Sequence, residues 1–168
     1  MKKFSKFDIP FVGLNLGSHS YDFKVDKAFF DLFEYCAIND GFFDVQLELD
    51  KKENMLILDF NLSGSVTDDC DRCGGEMTFP ASYTDRIYIQ FGNEESDNEN
   101  IIFYPINAHK INIATLIEEF AVLSLPVRKL HKDGQCDEKA LERLEELNKQ
   151  DPQEIDPRWE KLKGLLKD

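Results

Sequence analysis

The sequence predicts an α+β protein: a mostly antiparallel β-sheet with one main core helix and a helical C-terminal tail. Three patterns point there. Strict period-two alternation flanks a polar turn at 51–54, an apolar stripe of helical period follows Asn112, and the last thirty or so residues turn to leucine-and-charge composition. The expected division is a sheet region, 1–136, followed by a helical tail, 137–168. At 168 residues the chain is long enough to bury a sizeable core, and its 14 phenylalanines supply bulk for one.

In chain order, residues 7–16 mix apolar positions with Pro10 and Gly13, as in an edge strand and turn. Tyr21, Phe23 and Val25 alternate with Asp22 and Lys24 as a short strand. Asp26 is placed to cap a helix over 27–35, with Phe29, Phe30 and Phe33 at helical spacing. Cys36 reads as a small buried hydrophobe without a function. The clearest hairpin pairs Phe43, Val45, Leu47 and Leu49 with Leu56, Leu58, Phe60 and Leu62, leaving aspartates, glutamates and asparagines on the other face.

The return strand runs into Cys70-Asp71-Arg72-Cys73-Gly74-Gly75. Two further strands are expected beyond it, one holding Met77 and Phe79 and one holding Ile87, Ile89 and Phe91, in a sheet antiparallel throughout. Residues 92–100 carry Glu94, Glu95, Asp97 and Glu99 and read as a solvated, mobile loop. A short strand at 101–106 follows. Asn112 then caps the core helix, whose stripe is Ile113, Leu116, Ile117, Phe120 and Leu123 and which Pro126 ends. A basic loop holds Arg128, Lys129, His131, Lys132 and Cys136. Next comes a helix from Asp137 to about Lys149 with Ala140, Leu141, Leu144 and Leu147 inward. A last short helix starts at Asp156-Pro157.

Charge limits the partners. With 20 basic and 33 acidic residues the formal charge is −13, a field that opposes bare nucleic acid and anionic lipid and favours a basic partner. No stretch approaches the ~18–20 apolar residues of a membrane span. The N-terminal lysines lack the apolar run of a secretory signal, so a cytoplasmic location is expected. In that compartment a Cys-x-x-Cys reads as metal or redox chemistry rather than as a disulfide.

Zinc needs four soft or borderline ligands, and a Cys-x-x-Cys turn supplies two of them. Cys136 and His131 stand close together downstream, so Cys70, Cys73, His131 and Cys136 form a candidate Cys₃His set. The alternative is a pair of reduced thiols in a turn with an exposed histidine. A thioredoxin-like role fits poorly: the pair sits among antiparallel strands rather than at a helix N-terminus, and Asp69 and Asp71 are expected to raise the thiol pKa. Arg72, Arg128, Lys129 and Lys132 could form a cationic island for a phosphate backbone, or simply a charged loop. No nucleophile elbow, phosphate-cradling loop or His-Glu-x-x-His motif is present, so an enzyme with a small-molecule substrate is not expected.

Cys70-Asp71-Arg72-Cys73, Leu123-Ser124-Leu125-Pro126 with Arg128, and Asp156-Pro157-Arg158-Trp159 with Leu162 resemble the YceD-type large ribosomal RNA subunit accumulation proteins. The resemblance implies a non-enzymatic factor for the synthesis, processing or stability of large-subunit ribosomal RNA. Its direct partner would be a ribosomal protein or the ribosomal RNA precursor. Many members carry a second Cys-x-x-Cys before the position of Asp137. This chain keeps only Cys136 there, with His131 upstream.

Overall fold

Alternation of apolar and polar residues at period two leaves one face of each strand needing cover, and the longest strands pair first in sequence and in space. In the computed structural model, which describes residues 4–92, 98 and 100–149, strand β3 (Asp40–Lys51) and strand β4 (Met55–Asp69) form a long antiparallel hairpin. β2 (Gly17–Val25) lies antiparallel along the outer side of β3, from Gly17 opposite Lys51 to Val25 opposite Phe43. β5 (Glu76–Phe91) and β6 (Ile101–Tyr104) complete a five-stranded sheet in the order β2-β3-β4-β5-β6. A separate two-stranded ladder joins β1 (Asp8–Pro10) to β7 (Lys110–Asn112).

By contact, the described chain forms two units. One comprises Met1–Asp68 with Glu76–Arg128, and the other Asp69–Gly75 with Lys129–Asp168. The acidic residues at 94–97 and 99, and the tail helix expected from 156, lie outside the described residues.

The first unit holds the core. Phe43, Val45, Leu47 and Leu49 of β3 and Leu56, Leu58, Phe60 and Leu62 of β4 are all buried, as the alternation predicts. Each such side chain is worth roughly 1.5–3 kcal/mol when fully buried. Helix α2 (Ala114–Leu123) covers this face through Ile117, Phe120 and Ala121. Phe120 meets Phe60 edge-on at 5.2 Å and Tyr83 at 5.3 Å. The N-cap of α2 is Ile113, without a side-chain cap bond, rather than the expected Asn112, which ends β7. Asn112 Oδ1 accepts from the Ala114 N–H at 3.1 Å, and its amide donates to Phe4 O and Asp8 Oδ1. Those bonds and Lys110 hold the Asp8 carboxyl below its ordinary range and lock β1 to β7. Cys36 is half-buried against the core, where its sulfur accepts from the Ile38 N–H.

Several expectations need correction. Helix α1 (Lys27–Phe30) is capped by Asp26 but stops after four residues. Tight turns replace the rest, with Leu32 bonded back to Phe29 and Phe33 to Phe30. Phe29 keeps contact with Phe30 and with Phe33, both at 5.3 Å. Each of the three rings also packs on a distant one, Phe30 on Phe43, Phe29 on Phe7 and Phe33 on Phe4, and this tertiary packing overrides helix propensity after Phe30. The two strands expected after Gly75 are one, because Phe79, Ala81, Ile87 and Ile89 keep a single buried face through the polar-looking middle. Pro80 is tolerated since β6 pairs only Tyr88–Phe91, leaving β5 an open side there. β6 runs parallel to β5, so the sheet is mostly rather than wholly antiparallel. Leu123, assigned to the core stripe, is 59% exposed, lying at the helix end beyond the sheet-facing turn.

Gly64 marks the tightest point of the hairpin. A Cβ there would overlap the Phe42 carbonyl oxygen and lie 2.8 Å from Phe43 Cα, both backbone atoms that cannot swing aside. Gly64→Ala is therefore expected to lower unfolding free energy by about 1–3 kcal/mol. Gly13→Ala, with nothing within 4 Å, should change it little. Denaturant titration of the two variants checks this, and equal midpoints would contradict it.

Candidate metal centre

The sulfur-bearing turn begins where β4 ends. Cys70 N–H donates to Gly75 O at 2.9 Å and Gly74 N–H to Cys70 O at 2.9 Å, closing a knuckle. Gly74 has φ +68°, a left-handed conformation that glycine takes at no steric cost. The reversal turns backbone amides onto sulfur. The N–H groups of Arg72 and Cys73 face the Cys70 sulfur, and that of Gly75 faces the Cys73 sulfur.

The same unit adds the second segment. Asp71 N–H donates to Lys129 O at 2.8 Å, and Lys129 N–H donates to Asp71 Oδ2 at 2.7 Å, a two-bond clasp. Beyond it, the backbone N–H of His131 reaches the Cys70 sulfur and that of Asp137 the Cys73 sulfur. Gln135 N–H bonds Lys132 O at 3.0 Å, with Gly134 at φ +79°, so the loop curls back to present Cys136. Asp137 then caps helix α3 (Glu138–Lys149) by accepting from Lys139 N–H at 3.0 Å.

These contacts bring the four candidate ligands together. The Cys70, Cys73 and Cys136 sulfurs and a ring nitrogen of His131 all lie within 4.8 Å of one another. His131 Nδ1 is 3.4 Å from Cys73 Sγ and 3.9 Å from Cys136 Sγ. Bond lengths of about 2.3 Å to sulfur and 2.0 Å to nitrogen give tetrahedral edges of roughly 3.5–3.8 Å. The donor set fits a zinc-type ion in number, softness and spacing. Among the described residues it is the one group of three or more histidine, cysteine or acidic side chains whose donor atoms converge.

The electrostatics support ligation. Burial pushes the Cys70 thiol up, but the amides of His131, Arg72 and Cys73 outweigh it and bring the thiol down from 9.0 to about 6. Cys73 is lowered chiefly by the amides of Asp137 and Gly75. Cys136 is pushed up to about 11, by burial and then by its two sulfur neighbours. The expectation that Asp69 and Asp71 raise the pair is therefore overturned for both thiols. Backbone dipoles at contact distance prevail, and the Asp71 carboxylate is engaged with Lys129. Two thiols favour the anion and the third resists a further negative charge, a conflict that a dication removes.

Arg72 and Lys132 are exposed and Lys129 half-buried in this unit, while Arg128 is an exposed residue of the other. Along α3, Leu144 and Leu147 are 40% and 57% exposed, against the expectation that they face inward. The glycines after Cys73 point to turn amides directed at sulfur, as found for Arg72, Cys73 and Gly75, but sequence reasoning missed the Asp71–Lys129 clasp and the amides of His131 and Asp137.

A family model described as "Large ribosomal RNA subunit accumulation protein YceD" matches residues 58–166, more than half of the chain and all four donors. No curated protein and no solved structure matches.

A thiol lowered by folding stabilises the folded state above its unfolded pKa, and that contribution is lost as pH falls through the folded value. In reduced, metal-free protein the Cys70 contribution should be complete above about pH 9 and gone below about pH 6. Denaturation midpoints across this window should fall with acidification more for the parent than for Cys70→Ser. Parallel curves would contradict the assignment.

Proposed function

Because the chain belongs to the YceD family of large ribosomal RNA subunit accumulation proteins, we propose that it serves large-subunit ribosomal RNA as a binding factor without enzymatic turnover, and that a structural zinc ion braces its second unit. One observation carries the zinc reading. Of the described residues in 69–75 and 129–148, only Cys70 belongs to the buried hydrophobic set, whereas Leu130, Leu144 and Leu147 are exposed. A small unit whose described residues form no apolar core calls for a staple, and a structural zinc site supplies on the order of 10 kcal/mol. Cys70, Cys73, His131 and Cys136 would hold the ion. Four protein ligands fill a tetrahedron and leave no position for a reacting water, which favours bracing over catalysis.

The partner follows from charge. A protein of formal charge −13 attracts a lysine-rich ribosomal protein and repels free RNA. The RNA effect would then follow from the protein contact. Reduced thiols suit the cytoplasm, and no helix of the described residues is long and apolar enough to cross a membrane. A second reading, direct RNA contact through Arg72, Arg128, Lys129 and Lys132, draws on the exposure of Arg72, Arg128 and Lys132.

Binding to purified large-subunit ribosomal proteins and to ribosomal RNA, each at low and high salt, separates the two readings. The expected result is salt-sensitive binding of one or more basic ribosomal proteins. Reversing charge at Arg128 and Lys129 should change that binding by less than about twofold. Tight RNA binding that this reversal abolishes, with no ribosomal protein bound, would overturn the proposal.

A further inference from the structure

The sheet of the first unit ends in two edges, and the chain treats them differently. On the β5–β6 side the edge is guarded. β6 is four residues long, Pro80 interrupts the donors of β5, Tyr88 N–H donates to Asn100 O at 2.8 Å, and the Asn100 amide bonds Asp85 Oδ1 and Arg86 O. Short strands, proline and side-chain plugs are the usual means of keeping an edge from pairing. The β2 edge has none of them. It runs nine residues, Gly17–Val25, in unbroken register with β3 and without proline. Among the described residues, no backbone hydrogen bond reaches its other side.

We propose that the free edge of β2 is a strand-addition site for an extended, lysine- or arginine-rich protein segment. This rests on the reading of the partner as a basic ribosomal protein and names the mode of contact. The edge supplies a row of backbone donors and acceptors at the ~4.8 Å strand spacing. The side chains of β2 then select the occupant. On its outward face are Ser18, Ser20, Asp22 and Lys24, all exposed. Lys24 pairs with Asp44 at 2.9 Å, whereas Asp22 has no ion pair among the described residues. Ser20 stands opposite Glu48, which accepts from Ser18 Oγ and stands opposite Asp59. Asp59 is paired with Arg86, so Asp22 and Glu48 are the carboxylates that an added strand meets beside the edge. On the other face Tyr21 and Phe23 are half-buried and stacked, with centroids 6.4 Å apart, and offer apolar contact to alternate residues of an added strand. The complementary segment alternates basic with apolar side chains. A second copy of the chain is the obvious rival for any open edge, but two molecules each carrying −13 repel.

The test uses the full chain and a synthetic nine-residue peptide alternating lysine and valine, with residue-resolved amide hydrogen exchange as the readout. The same peptide with a central proline keeps the charge and cannot complete the ladder. The proposal expects exchange at alternate β2 amides to slow about tenfold or more with the first peptide, less at high salt, and not with the second. Asp22→Lys should weaken the effect while leaving the exchange pattern of the free protein unchanged. Equal binding of both peptides, protection elsewhere than β2, no binding, or self-association through β2 would each overturn it. Should a basic ribosomal protein bind without protecting β2, this inference falls and the partner reading stands. Should none bind, the partner reading falls while the peptide result still decides whether the edge accepts a strand.

Discussion

Three sulfurs and one imidazole converge from two stretches of chain that, among the described residues, have few other contacts to join them. Cys73 and His131 are 58 positions apart, yet their donor atoms lie at 3.4 Å. Around them the chain offers the Asp71–Lys129 clasp, a few turn bonds and several amides directed at sulfur. Such bonds contribute only about 1 kcal/mol each, and the described part of this unit has no apolar core to add to them. The arrangement makes physical sense when a dication takes up the charge of the thiolates. Depressed Cys70 and Cys73 thiols beside a raised Cys136 are what amides directed at a cluster of three sulfurs produce.

The first unit rests on different physics. Its stability comes from the sheet face buried under α2 and from rings that interlock across elements, as Phe60 and Phe120 do. The opposite face of β2, β3 and β4 is polar and carries Asp22 on β2, Glu48 on β3 and Asp59 on β4, with Glu48 directly opposite Asp59. One unit thus offers a packed sheet with a polar surface and, among the described residues, an unpaired β2 edge, while the other carries the converging donor set. A family named for ribosomal RNA accumulation is served by such a platform when its clients are basic. The negative field speeds encounter, and directional contacts such as backbone pairing supply what charge alone does not.

Much of this was legible because it depends on local alternation. The Phe43–Leu49 and Leu56–Leu62 pattern specifies both strands and their buried face, and the Cys-x-x-Cys with two glycines specifies the knuckle. Other features depend on contacts distant in sequence. Nothing near Phe33 says that its ring will pack on Phe4 as well as on Phe29 while the helix stops at Phe30. The stretch around Ala81 looks like a break because its polar residues hide a continuing buried row. Strand direction leaves no mark on four residues such as Ile101–Tyr104, so the parallel pairing with β5 could not be read. Gly64 looked ordinary, since only its partner strand shows how closely the backbone of Phe42 approaches. At the metal centre the donors and the glycine-turned amides of the knuckle were readable, but the amides of His131 and Asp137 were not, because only the fold aims them at sulfur.

Residue-resolved hydrogen exchange on protein purified without chelator, before and after zinc removal, tests the bracing role most directly. Loss of the ion should release the amides of Asp71, Gly74 and Lys129 to fast exchange while those of β3 and β4 stay protected. Identical protection in both states, or collapse of the whole sheet together with the knuckle, would contradict the account.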